Sequence, residues 1–201
     1  MSNFSRFPTI VKDGNGFSTI RYEEQYHDPY TQVSREYVRT PARPDGQEWT
    51  VVHRKAATVV APLTEDGKFV LVCQDRIPVR RSLWEFPAGQ IDQQGETTDS
   101  VIRETAIREL AEETGFGQIA EAELIPLGHF FTSPGFTDEH AFLFLAKGVK
   151  KLDQGIQPDS AETIHEVRLI SREEVWQWVR EGKICDANTL TTLARLTAFG
   201  Y

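Results

Sequence analysis

Glu109, Glu112 and Glu113 are the residues whose type and spacing imply chemistry most directly. At i, i+3 and i+4 of a helix with about 3.6 residues per turn, their carboxylates leave from one face within a few Å of one another. Like charges so placed repel by a few tenths of a kcal/mol per pair, roughly, until a cation neutralises them. Hard carboxylate oxygens, with no thiolate pair or histidine set nearby, suit Mg²⁺ or Mn²⁺. Arg108 stands four residues from both Glu104 and Glu112, so two i, i+4 pairs would lay its guanidinium along the helix and orient a glutamate. Ala106, Ile107, Leu110 and Ala111 form a neighbouring apolar face, which predicts a helix docked on a core with its acidic face toward a cleft. Gly115 is placed to end it in the left-handed conformation.

The nine residues from Arg108 to Phe116, RELAEETGF, resemble the second half of the Nudix box, and the preceding WEFPAG (84–89) is similar to the strand end and turn that lead into it. The first half departs from that pattern. The family spacing leaves thirteen residues between the box glycine and the arginine, whereas eighteen separate Gly89 from Arg108. Glu96 therefore fits the first glutamate's place only with one extra residue before it and four after it. Thr97, Thr98, Asp99 and Ser100 then read as a lengthened helix entry rich in N-cap residues, and an insertion at a loop-to-helix junction costs little.

The resemblance implies the Nudix fold, α/β (α+β), a mixed β-sheet sandwiched between α-helices, over about residues 55–198. Composition alone delivers only α/β or α+β. The resemblance also implies a Mg²⁺-dependent hydrolase that cleaves the diphosphate of a nucleoside diphosphate derivative, with Mn²⁺ an alternative metal. Ala88, through its carbonyl, and Glu109, Glu112 and Glu113 would be the metal ligands, with Arg108 orienting them. A Gln-x-Arg at the end of a strand places Arg76 on substrate, and the Ser-Pro-Gly segment at 133–135, followed by Asp138 and Glu139, is similar to one that marks the ADP-ribose pyrophosphatase branch. From that branch comes the expectation of ADP-ribose as substrate, with Glu162, on the polar loop 154–164, as general base. Other nucleoside diphosphate sugars or dinucleoside polyphosphates are alternative substrates. A module that binds a nucleotide without turning it over is the alternative from another class.

These residues need elements to hold them. The N-terminal residues 1–53 read as a β-rich extension with strands at 9–11, 17–22, 32–39 and 49–53 and turns at 13–16 and 41–46; residues 54–201 form the main domain. The extension is too small for a core of its own, so it is expected to extend the main sheet or to pair with a second subunit, and its exposed strand edges point to a homodimer. Trp49, Tyr30 and Tyr37 are candidates for stacking on a base or for packing. A hairpin is expected from 55–63 and 69–74 around an Asp-Gly turn, with Arg76, Arg80 and Arg81 following; arginines near an acidic cleft can clamp phosphates. Strands are expected at 84–87, 127–131 and 141–146, and Pro134 and Gly135 make a rigid turn that presents Asp138 or Glu139 beside the sheet. A capping box at 171–174 opens a helix closed by Gly182, and a last helix runs from 188 to 198.

With 201 residues, 39% hydrophobic and 26% charged, the chain has globular proportions. A net charge of −8 disfavours nucleic acid and anionic membranes as partners and suits an anionic small molecule only through a bridging metal. No transmembrane run or leader is visible, which predicts a cytoplasmic protein. Cys73 and Cys185 read as small buried or half-buried residues.

Overall fold

The computed structural model describes residues 4–92, 97–117, 120, 123–157 and 163–201. The chain divides into two compact units, the first of Met1–Ala56, Ile91–Thr97 and Phe131–His140, the second of Ala57–Gln90, Thr98–Phe130 and Ala141–Tyr201.

The first unit is built on a three-stranded antiparallel sheet, β1 (Ser18–His27), β2 (Thr31–Thr40) and β3 (Arg43–Arg54), in that order. Local polar chemistry sets its turns. Asp28 Oδ1 accepts from the amides of Tyr30 and Thr31, both at 2.7 Å, which closes the β1–β2 hairpin. Asp13 accepts from both the amide (2.9 Å) and the hydroxyl (3.0 Å) of Thr19, pinning the Gly14–Phe17 turn to the start of β1. Residues 9–11 are not the strand their β-branched content suggests. The Thr9 hydroxyl accepts from the Val11 amide at 3.0 Å and turns the chain locally instead.

The second unit holds an eight-stranded mixed sheet. Its main order is β11 (Ile164–Ile170), β5 (Phe69–Arg76), β4 (Ala57–Thr64), β10 (His140–Lys151), β8 (Phe116–Gly117). Off that path β6 (Arg81–Glu85) pairs with β5, β7 (Ala88–Gln90) with β4, and β9 (Leu124–Phe131) with β10. Strand β4 runs parallel to β10, Val59 opposite Leu143 and Ala61 opposite Leu145, and is buried along most of its length, as an apolar run in a parallel pairing should be. The expected hairpin of β4 and β5 closes at its Asp-Gly turn, where the Gly67 amide bonds Thr64 O at 3.0 Å with a φ of 78°. It then splays: the two strands pair only at Leu63 and Phe69, because β10 and β7 take the rest of β4 while β11 and β6 take β5.

Among the described residues three α-helices complete the unit: α1 (Asp99–Thr114), α2 (Arg172–Arg180) and α3 (Ala187–Ala198). Thr98 caps α1, and Gly115, at φ 69°, ends it with its amide on Ala111 O. The Ser171–Glu174 capping box opens α2 with both reciprocal bonds formed, at 2.8 and 3.2 Å. Asp186 caps α3 by accepting from the Thr189 amide at 2.7 Å. Leu71, Phe86, Leu127, Leu143, Ile184 and Leu196 pack in one core. Cys185, read as at least half-buried, is exposed, because the turn into α3 carries it outward.

Thr189 joins α3 to the strand that leads to the acidic helix. Its hydroxyl, fully buried, accepts the Phe86 amide at 2.9 Å. Thr189→Val keeps the shape but leaves that amide without a partner in the core, so it should destabilise the protein by about 1–3 kcal/mol, read as a lowered denaturation midpoint at unchanged slope.

Candidate active site

The glutamate helix docks through Ala106 and Leu110 as its apolar residues suggest, but is rotated so that Ile107 faces out. Ile102, Ala106 and Leu110 are buried, and so are Glu109 and Glu113, while Ile107 is 38% exposed. Positions 102, 106, 109, 110 and 113 share one helical stripe, so docking the apolar members carries two carboxylates inward with them. Gly89 on β7 makes this possible. A Cβ there would collide with the Glu109 side chain, so the missing side chain is the space the carboxylate occupies. One residue earlier, the Ala88 amide donates to Glu113 Oε2 at 2.9 Å.

Arg108 bonds two glutamates, a different pair from the one its spacing predicts. Its guanidinium donates to Glu109 Oε1 at 2.5 Å and to Glu112 Oε2 at 2.6 Å. Glu104 instead accepts from the Ser100 hydroxyl at 2.6 Å. Burial works against the charged arginine, but Glu109 and Glu112 outweigh it and the pKa is raised. Behind Glu112, the Gln157 amide donates to its backbone carbonyl at 2.7 Å and the Leu152 amide to that of Gly115 at 2.8 Å, tying the loop after β10 to the C-terminal end of α1.

Among the described residues, no three carboxylate, histidine or cysteine side chains converge as a ready cation cage. Arg108 occupies Glu109 and Glu112 instead, and Glu113 is turned to Ala88. The donor chemistry nevertheless fits a hard divalent cation, being all oxygen, with two of the three carboxylates buried.

Arg76, at the end of β5, is held by Glu85 of β6 through three bonds of 2.9, 3.1 and 2.5 Å. Glu85 is buried, in inward register with Leu83 on β6, and its pairing with Arg76 is not encoded by any short sequence pattern. Burial opposes the charge of Arg76, but Glu85 in first place, then Glu113 and Asp186, raise its pKa. Asp186 was not anticipated either. Burial first, and then the neighbouring Glu85 charge, push its carboxyl up to about 6, against the pull of Thr189 and Arg76. Its folded pKa lies above the unfolded value, so the ionised group opposes folding above about pH 6, and this opposition fades as pH falls from 6 toward 4. Asparagine caps helices as well as aspartate does. Asp186→Asn should therefore raise stability at pH 7 by about 1 kcal/mol, with the gain gone at pH 4, whereas Asp186→Ala should lose about 1 kcal/mol for want of a cap. Thermal melts at the two pH values check both.

In the first unit, Trp49 is 49% exposed and donates from its indole to Gly135 O at 3.1 Å. Glu139 accepts from Arg54 Nε at 3.2 Å and from the Thr132 hydroxyl at 2.8 Å. Asp138 turns inward, 2.8 Å from His53 Nδ1. The sequence offered no histidine role, and the only signal was the place of His53 on the same side of β3 as Trp49 and Val51. The general base assigned to Glu162, and Glu96 of the lengthened box, lie outside the described residues.

A family model described as the NUDIX domain matches residues 52–192. The chain belongs to the NUDIX family. Among its relatives, the methanol dehydrogenase activator of Bacillus methanolicus is 34% identical over 179 residues, 89% of this chain and 91% of that one. The ADP-ribose pyrophosphatase of Bacillus subtilis (strain 168) is 34% identical over 155 residues, 76% of this NUDIX chain and 79% of the relative. A solved structure of an ADP compounds hydrolase covers 94% of this chain and 99% of its own at a TM-score of 0.70, with 18% identity, and so shares the fold. The mixed sheet with its three helices is therefore the NUDIX fold, as the box resemblance implied.

Proposed function

We propose that this NUDIX protein hydrolyses the diphosphate linkage of a nucleoside diphosphate derivative, with ADP-ribose the preferred substrate and AMP and ribose 5-phosphate the products. The observation that carries this is the seating of buried Glu109 and Glu113 against the Gly89 backbone and the Ala88 amide, with Arg108 fixed across Glu109 and Glu112. Burying carboxylates is costly without a compensating charge. Glu109, Glu112 and Glu113, with the Ala88 carbonyl, would hold Mg²⁺ or Mn²⁺, which when bound neutralises the diphosphate and acidifies a water. Arg108 orients the glutamates. Arg76 grips the substrate, and Glu85 pre-sets its guanidinium. Glu162 takes the proton of the attacking water, Trp49 stacks on the base, and Glu139 contacts the substrate from the 132–139 turn. The ADP-ribose pyrophosphatase activity named for the Bacillus subtilis relative supports the choice of substrate.

The net charge of −8 supports a small-molecule partner rather than nucleic acid or membrane, and no helix among the described residues is long and apolar enough to cross a bilayer. The reading includes a cytoplasmic homodimer formed through β1–β3, and light scattering at assay concentration should return twice the chain mass.

A second reading is favoured by the methanol dehydrogenase activator, which this chain matches over 91% of that protein. In it the same site serves to regulate a partner enzyme. A panel of ADP-ribose, other nucleoside diphosphate sugars, dinucleoside polyphosphates, NADH and nucleoside triphosphates, assayed with Mg²⁺ and scored by chromatography, tests both. Fastest AMP release from ADP-ribose upholds the first reading; binding without turnover of any compound favours a non-catalytic regulator.

A further inference from the structure

His53 is almost wholly buried and lies between two carboxylates on different elements: Asp138 Oδ2 at 2.8 Å from Nδ1, and Glu36 Oε1 of β2 at 3.0 Å from Nε2. Ser34 completes the group, its hydroxyl 2.8 Å from Nε2 and donating to Glu36 Oε1 at 2.7 Å. A serine, a histidine and an aspartate in series suggest a nucleophile, but the proton count excludes it. With Nδ1–H on Asp138, a neutral ring would turn its Nε2 lone pair toward Glu36 Oε1; only the imidazolium satisfies both carboxylates. An imidazolium has no lone pair to accept the Ser34 proton, and Ser34 is fully buried.

The element this ion triad secures is the 132–139 turn. Among the described residues, its other hydrogen bonds to neighbouring elements run to β3. Val52 donates to Phe136 O at 2.9 Å, and Val52 O accepts from the Thr137 hydroxyl at 2.7 Å and the Asp138 amide at 3.3 Å. Asp138 Oδ1 accepts the Arg54 amide at 3.2 Å. On its other side Pro134, Phe136, Thr137 and Asp138 line a solvent-open cleft of about 390 Å³ that also reaches Glu36, Trp49 and His53, so little packs against the turn there. A turn beside an open cleft of that size depends on directional bonds to keep its place.

We propose that His53 is a positioning residue, whose imidazolium locks the 132–139 turn to β2 and β3 and so fixes Glu139 and Trp49 for substrate. This rests on the assignment of those two residues as substrate contacts. The groups facing the ring are Glu36 from β2, Asp138 from the turn, the Ser34 hydroxyl and the Phe4 ring at 6.0 Å. Burial works against the charge, but Asp138 and Glu36 override it and push the pKa up to about 9. The lock is therefore complete at neutral pH and opens as pH rises through about 9.

The test combines steady-state kinetics on ADP-ribose with hydrogen exchange of the turn. In the unmodified protein, kcat/KM should fall above about pH 9 through a rise in KM. His53→Gln should raise KM about tenfold at pH 7.5 with kcat within about threefold, abolish that alkaline limb, and speed exchange of the Val52 and Asp138 amides at least about tenfold. Glu36→Gln removes one of the two charges that raise the pKa of His53 and should move the limb to lower pH; it serves also if His53→Gln does not fold. A limb that Glu36→Gln leaves in place, a loss confined to kcat, or faster exchange with unchanged KM would each overturn the positioning role. Absence of turnover in the unmodified protein refutes the diphosphatase reading instead, and the positioning role falls with it.

Discussion

Replacing Glu113 with glutamine is expected to lower turnover of ADP-ribose by about a thousandfold or more while the fold persists. Glu113 is 1% exposed, and its Oε2 accepts the Ala88 amide at 2.9 Å. A glutamine keeps an oxygen in that position and the same volume, so α1 stays joined to β7 and the melting temperature should move by no more than about 5 °C. What the substitution removes is the negative charge, in a buried place where charge interactions are little screened. Far-UV circular dichroism and a melt establish the fold, and chromatographic detection of AMP establishes the rate. Turnover at the unmodified rate would sink the assignment of Glu113 as a ligand.

The second large effect is expected at Gly89, where alanine changes one methyl group. That methyl would meet Glu109 Cδ, Oε1 and Cγ, so either the carboxylate or the β7 backbone must move. Overpacking of this kind destabilises by about 1–3 kcal/mol. The larger consequence falls on catalysis. Displacing Glu109 also breaks its 2.5 Å bond from Arg108, which holds Glu112 as well, and misplacing a catalytic group by about 1 Å costs on the order of a hundredfold. Gly89→Ala should therefore cut kcat by about a hundredfold and lower the melting temperature by several degrees, roughly. A variant with full activity would show that Glu109 need not occupy its place against β7.

The elements that local chemistry determines were legible in the sequence. A cap within residues 97–100, which the structure places at Thr98, Gly115 as the helix stop and the Ser171–Glu174 box all depend on residues within four positions of each other. What could not be read depends on distant partners. Nothing near Ala57 announces that β4 runs parallel to β10, and β11 is largely exposed on both faces, so it shows no alternation to mark it as a strand. The candidate site divides in the same way. Helical spacing placed Glu109, Glu112 and Glu113 together, yet which of them are buried was decided by Gly89, twenty positions before Glu109. Arg108 chose Glu109 over Glu104 because docking brought the former into reach and Ser100 took the latter. The triad of Glu36, His53 and Asp138 joins residues up to 102 positions apart, and no short pattern encodes it.

The proposal that the Glu109, Glu112 and Glu113 cluster serves a divalent-metal diphosphatase of ADP-ribose can be tested on the unmodified protein. Its most direct test is AMP release from ADP-ribose by the unmodified protein with Mg²⁺, with EDTA, and with Mg²⁺ restored in excess. AMP and ribose 5-phosphate are expected in equal amounts with Mg²⁺, none above background with EDTA, and recovery on restoring the metal. Release that EDTA leaves untouched, or no AMP under any of the three conditions, would contradict it.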